Sequence, residues 1–276
     1  MSEFALETRN QLVGLFGIVE RNMYLTKRYF LWDVAFMVWT IANTLTIVFI
    51  ARAIPNITPA EENSAATALL VGATIWAFLG IIFEFMTETV AWERWEGTIE
   101  YTFMAPLSRA MHLAGQGVFA ILYGVVRAVF LFAVCTLFFS LSMPNANFFA
   151  ALVVLAIASI SFIGIGIMTS VLPLISPEKG TQLGFIAQGT LLVVSGVYYP
   201  VSVLPDWMQF LAKFSPATYA LEGIRQAILE GQGVTEMSDQ IVPLIIIGVV
   251  SIPLGLWVFR RGELYAKRHG KLKRSG

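Results

Sequence analysis

The chain has 276 residues and a mass of 30.5 kDa, is 57 % hydrophobic with a mean hydropathy of +0.73, and carries only 13 % charged residues. That is about half the charge of an ordinary globular domain, too little to dress a water-facing surface, so a soluble enzyme or binding domain is excluded and most of the chain belongs in lipid. The 18 Lys+Arg balance 18 Asp+Glu, which gives nucleic acid no footing, and one cysteine (Cys135) with two histidines (His112, His269) excludes an intramolecular disulfide and a Cys/His metal cluster.

The first thirty residues hold no apolar run ahead of a small-residue cleavage site, and Arg9, Glu20 and Arg21 interrupt their periodicity, so a cleaved signal peptide is not expected. Within residues 1–28, Leu12, Leu15, Phe16, Val19 and Met23 recur at helical spacing among Arg9, Glu20, Arg21 and Lys27. This suits an amphipathic helix on the inner membrane surface, and equally a cytoplasmic helix packed on protein.

A crossing helix needs about 20 mostly apolar residues. Six segments qualify: Tyr29 to Ile54, Thr67 to Met86, Gly117 to Met143, Phe148 to Ile175, Leu183 to Tyr199 and Ile241 to Phe259. The expected fold is an all-α polytopic membrane protein, with a six-helix transmembrane domain over residues 29–259 and a basic cytoplasmic tail over 260–276. The Pro55/Pro59 loop with Glu61 and Glu62 has no Lys or Arg, nor has the Pro144-Asn145-Ala146-Asn147 turn, so both are expected outside. Fourteen of the 18 basic residues fall on the other side: Arg9, Arg21, Lys27, Arg28, Arg94, Arg109, Lys179, Arg260, Arg261, Lys267, Arg268, Lys271, Lys273 and Arg274. Both termini are therefore expected in the cytoplasm.

Two connections have structure of their own. Residues 88–112 are too charged to cross and too long for a tight turn. A helical projection puts Trp92, Trp95, Ile99 and Phe103 on one face and Glu93, Glu96 and Glu100 on another, as in a headgroup-level helix with its acidic face exposed. In residues 200–240, Trp207, Phe210, Leu211 and Phe214 form one apolar stripe, and Leu221, Ile224 and Ile228 form another after Pro216. Two short amphipathic helices broken by a proline predict an external hairpin re-entering the outer leaflet.

Polar residues inside the spans are few. Arg127 sits about 15 Å into span three, where an arginine must be paired or wetted. Asp33 and Glu84 are the carboxylates nearest in depth, so an ion pair is expected, with an anionic substrate as the other reading. Thr40, Asn43 and Thr44 mark one face of span one, and Gln188, Ser195 and Tyr199 follow at i, i+7 and i+11 in span five. Such stripes either join helices by hydrogen bonds or line a wet pathway. Cys135 reads as inert packing.

The blocks Glu93-Arg94-Trp95-Glu96-Gly97-Thr98-Ile99-Glu100 and Ala105-Pro106-Leu107-Ser108-Arg109 precede span three. After span five come Ser195-Gly196-Val197-Tyr198-Tyr199-Pro200, Leu204-Pro205-Asp206-Trp207, Ser215-Pro216-Ala217-Thr218-Tyr219-Ala220 and Glu222-Gly223-Ile224-Arg225. Together they resemble the membrane subunit of type-2 ABC exporters, the class that includes drug and antibiotic, lipo-oligosaccharide and polysaccharide exporters. The resemblance runs from the N-terminal helix to span six and is nearer to the drug and antibiotic branch. It implies that residues 88–112 form a coupling helix, with Glu93, Arg94, Glu96, Gly97, Thr98, Glu100, Pro106 and Arg109 meeting an ATPase. It also implies that spans one and five flank the pathway, that permeases pair as a homodimer or a heterodimer among membrane lipid, and that the setting is a bacterial plasma membrane.

No G-x-x-x-x-G-K-[ST] loop is present. The chain is therefore expected to be no enzyme and to bind no cofactor or metal itself, with ATP and Mg on separate ATPase subunits. The expected function is export of an amphipathic drug, antibiotic or lipid-like molecule, or of a polysaccharide or lipo-oligosaccharide. An ion-coupled carrier or channel would normally show acidic residues near midplane, and an intramembrane enzyme would cluster His, Asp or Glu at one cavity. One arginine at midplane fits neither.

Overall fold

The computed structural model describes residues 3–271, and among them every regular element is a helix. Lys273 and Arg274 of the expected basic tail lie outside the described residues. In chain order the α-helices are α1 (Glu3–Arg28), α2 (Phe30–Arg52), α3 (Pro59–Glu96), α4 (Ile99–Met104), α5 (Arg109–Phe139), α6 (Phe148–Thr169), α7 (Val171–Ile175), α8 (Gly180–Val194), α9 (Asp206–Ala212), α10 (Pro216–Arg225) and α11 (Ser238–Arg268). Among the described residues, five helical runs are long and apolar enough to cross a membrane: α2, α3, α5, Phe148–Ile175 and α11. The polytopic all-α fold is as expected.

The fifth predicted span is shorter than its apolar run. α8 has 15 residues, about 22 Å at 1.5 Å per residue, against a hydrocarbon core of roughly 30 Å. Ser195 to Tyr199 is turn, not helix. Two further elements also differ from expectation. α3 runs unbroken to Glu96 because nothing between Met86 and Glu96 breaks a helix, and it stops where Gly97 takes φ 72°. The expected helix over 88–112 is therefore three pieces: the last turns of α3, the short α4, and the start of α5. In the same way, α11 carries span six on to Arg268, so much of the predicted tail is helical.

α3 is the central helix and packs against α2, α5, α6 and α8. Its 38 residues reach about 57 Å, well past a bilayer core. Its start is fixed by a capping box: Thr58 Oγ1 accepts from the Glu61 amide, and the Glu61 carboxylate accepts from the Thr58 amide at 2.8 Å, with Pro59 at the first helical position. Its buried face, including Phe78, Leu79, Ile82, Phe83 and Met86, is the middle of the main core.

α6 and α11 form the tightest pair. A Cβ on Gly164 would collide with Ser251, so the helices approach as closely as they do because position 164 has no side chain. Across this seam the Ser161 hydroxyl donates to the Leu244 carbonyl at 2.7 Å. We call the end holding α1, α4 and the last turns of α3 and α11 the basic end, and the opposite end, with Pro59, Asn147 and residues 200–240, the hairpin end.

Candidate coupling platform and polar sites in the bundle

At the basic end, α1 packs along the first turns of α5. Asn22 donates to Gln116 at 2.7 Å, and Gln11 links to the α4–α5 connection, taking the Ser108 amide at 2.9 Å and donating to the Pro106 carbonyl at 3.3 Å. Val19 is buried with them, while Leu12, Phe16 and Met23 stay exposed, so the predicted stripe divides between a protein face and an open apolar face.

This packing overturns the expected acidic face. Glu93 is 2 % exposed; its Oε1 lies 3.1 Å from Arg21 Nη1 and 3.0 Å from His112 Nε2. Glu96 accepts from the Tyr29 hydroxyl at 2.7 Å and faces Arg28 at 3.6 Å. Only Glu100 is left exposed. The carboxylates separate because the turn at Gly97 puts Glu100 on another helix, and because α1 covers Glu93. The aromatic face splits likewise: Trp92 and Trp95 are exposed and meet Tyr29, whereas Ile99 is buried.

The other coupling candidates are mostly structural ties. Buried Arg94 donates to the Leu174 carbonyl at 3.1 Å and the Lys271 carbonyl at 2.5 Å, joining α3 to the ends of α7 and α11. Arg109 donates to the carbonyls of Thr102 and Phe103, lies over the Phe103 ring at 4.2 Å, and pairs with Glu263 of α11 at 3.3 Å. Thr98 bonds back to the Glu93 carbonyl. What projects outward is the α4 tip: Glu100, Tyr101 and Met104, the latter two each 74 % exposed, followed by Ala105 and Pro106.

Within the bundle Arg127 has no direct ion pair with Asp33 or Glu84 among the described residues. Instead its Nη1 donates to the Tyr123 hydroxyl at 3.1 Å, and that hydroxyl donates to Asp33 Oδ1 at 2.6 Å. The link to Asp33 is a relay from α5 to α2, and Tyr123 is the member that sequence reading missed. Its signal was its position, one turn before Arg127 on the same helix. Tyr123 is held by Phe85 and Phe119, with ring centroids at 5.3 and 5.8 Å. Glu84 makes no direct bond to this relay but stays within electrostatic reach of Arg127, and it lines a crevice between α3 and α8 with Glu88, Phe185 and Gln188.

The expected pathway stripes do not survive as continuous faces. Thr40 and Asn43 bond carbonyls of their own helix at 2.8 and 3.0 Å, while Thr44 is buried. Ser195 is buried as well, donating to the Leu191 carbonyl at 2.5 Å and bonding the Ser215 hydroxyl at 2.7 Å. Because α8 ends at Val194, Tyr199 is no longer in helical register with Gln188; its hydroxyl donates to the Val193 carbonyl at 2.6 Å. Thr40, Asn43, Gln188 and Tyr199 keep part of their surface open.

At the hairpin end, the predicted pair of short helices is present as α9 and α10, with Pro216 opening α10. They differ in burial. α9 and the turn after it expose Trp207, Phe210 and Phe214, whereas Leu221, Ile224 and Ile228 are buried, with α10 against α3, α6 and α11. Arg225 secures the turn by donating to the Gly196 carbonyl at 3.0 Å and the Val197 carbonyl at 2.5 Å. Burial lowers its pKa from the ordinary guanidinium range, and the nearby Glu222 carboxylate opposes that shift.

A multi-span helical bundle with a tied platform at one end and a short-helix hairpin at the other is the architecture of a membrane permease. Residues 21–229 match the ABC-2 type transporter family, and the chain belongs to that family. It is similar to the linearmycin resistance permease protein LnrN of Bacillus subtilis, 27 % identical over 40 % of this chain and 29 % of that protein. It is also similar to the probable multidrug ABC transporter permease YbhR of Escherichia coli, 24 % identical over 63 % of this chain and 46 % of that protein. The matched region thus spans less than half the length of these relatives.

Proposed function

We propose that this chain is the permease of an ATP-driven exporter that moves an amphipathic drug, antibiotic or lipid-like molecule outward, powered by a separate ATPase subunit. The observation that carries this reading is the platform at the basic end. Glu100, Tyr101 and Met104 of α4 face outward, while Glu93, Glu96, Arg94 and Arg109 tie the ground beneath them to α1, α5, α7 and α11. An ATPase docked on α4 would then move these helices together. In this reading ATP and Mg²⁺ belong to the ATPase.

The drug and antibiotic branch is favoured by the two relatives, one named for linearmycin resistance and one as a probable multidrug permease. A second copy of the chain completes the pathway, to which Thr40, Asn43, Gln188 and Tyr199 bring their open surfaces. The basic end is cytoplasmic in a bacterial plasma membrane, from the bias of Lys and Arg. Co-expression with an ABC ATPase subunit from the same organism, followed by uptake of a fluorescent amphiphile into inside-out vesicles, tests the proposal. Uptake should need both subunits and ATP. Uptake driven by an ion gradient without ATP would make the chain a carrier instead.

A further inference from the structure

α11 has 31 residues, about 46 Å of helix, so roughly a third of it extends past a 30 Å hydrocarbon core. The overhang is at the basic end, and its two sides differ. Phe259, Gly262, Glu263 and Ala266 are buried, and Glu263 turns inward to Arg109 and Lys267 at 3.3 and 2.7 Å. The outward side carries Trp257, Arg260, Arg261, Leu264 and Arg268, all exposed. Among the described residues no carboxylate pairs with Arg260, Arg261 or Arg268. The one acid of the segment has been turned away, leaving a face of cations and apolar groups.

We propose that this face binds the phosphate headgroups of anionic phospholipid in the leaflet at the basic end, with Arg260 and Arg261 as the principal ligands. Position supports a lipid over a protein. Trp257 is the kind of exposed aromatic that settles at the membrane interface, and Arg261 lies over its ring at 5.4 Å. Arg260 and Arg261 come three and four residues later, about 5 Å further along the axis, which is headgroup depth. Leu264 adds an apolar contact that water would not reward but an interface does. Guanidinium groups chelate phosphate in two-point fashion, and basic clusters next to a span draw anionic lipid by charge. Arg268, further out, contributes through its field.

The test uses the whole purified chain in nanodiscs of phosphatidylcholine, with and without added phosphatidylglycerol. Phosphatidylglycerol should raise the melting temperature, less so at high salt. The rise should disappear in R260Q/R261Q and persist in R9Q/K27Q, which removes equal charge from α1 at the same end. An equal rise in R260Q/R261Q, or none in the unmutated chain, overturns the proposal. Loss of ATPase co-purification from R260Q/R261Q with its lipid response intact assigns the face to a protein and overturns it too. Should R260Q/R261Q fail to fold, native mass spectrometry of the unmutated chain decides: retained phosphatidylglycerol in excess of phosphatidylcholine supports the site, and equal retention refutes it.

Discussion

His112 Nε2 stands 3.0 Å from Glu93 Oε1 with both side chains almost wholly buried, and Arg21 reaches the same oxygen. One carboxylate thus joins α1, α3 and α5. Removing Glu93 takes the shared acceptor from Arg21, whose side chain is 30 % exposed, and from buried His112, at about 1.5–3 kcal/mol. Glu93→Ala should therefore lower the melting temperature in detergent by several degrees, whereas Glu100→Ala, on an exposed helix tip, should leave it unchanged. Equal tolerance of both would dissolve the clasp.

The Arg127–Tyr123–Asp33 relay gives a second expectation. Tyr123→Phe removes the donor to Asp33 and the acceptor for Arg127 together, and should cost about 1–3 kcal/mol. If the relay is one unit, Arg127→Gln combined with Asp33→Asn should cost clearly less than the two changes summed. Additivity in that thermal cycle would show Arg127 and Asp33 to be independent.

Much of this fold can be read from the sequence, and the parts that cannot share a cause. Apolar runs of span length and the proline before α10 are local signals that give the spans and the hairpin, whereas the capping box at Thr58 and Glu61 and the stop at Gly97, though local as well, fall where the expected elements passed over them. Burial of Glu93 is not local, because Arg21 lies 72 residues away in the chain, and a helical projection of 88–112 cannot include a covering helix. The projection also assumed one continuous helix across Gly97. Arg127 was legible as a charge needing a partner, but the partner it meets is an uncharged phenol. The polar stripe of span five failed because an apolar run does not reveal where its helix ends: Ser195 and Tyr199 fall past Val194, in the turn that Arg225 holds.

That turn is itself testable. Arg225→Met should release the Gly196 and Val197 carbonyls, at about 1–3 kcal/mol. Hydrogen exchange over residues 195–200 should speed up while the centre of α3 stays protected. Unchanged exchange in the turn would mean that Arg225 is not its anchor. A Cβ on Gly72 would strike the Val197 carbonyl beneath this arginine, so Gly72→Val should loosen the same segment.

Orientation follows from the charge bias. On a Cys135→Ser background in intact cells, an impermeant thiol reagent should label Glu61→Cys and spare Tyr101→Cys. The opposite pattern would place the basic end outside.

The account turns most directly on α4. Glu100→Lys, Tyr101→Ala and Met104→Ala together alter the outward tip without touching the clasp at Glu93 or the Arg109 ties. Co-purification of the ATPase with this triple variant, alongside its melting temperature, is the decisive measurement. We expect an unchanged melting temperature and at least a tenfold loss of retained ATPase, since like-charge contact and lost anchors at a docking surface cost more than about 1.4 kcal/mol. Full retention of the ATPase by a folded variant would contradict the assignment of α4 as the docking element.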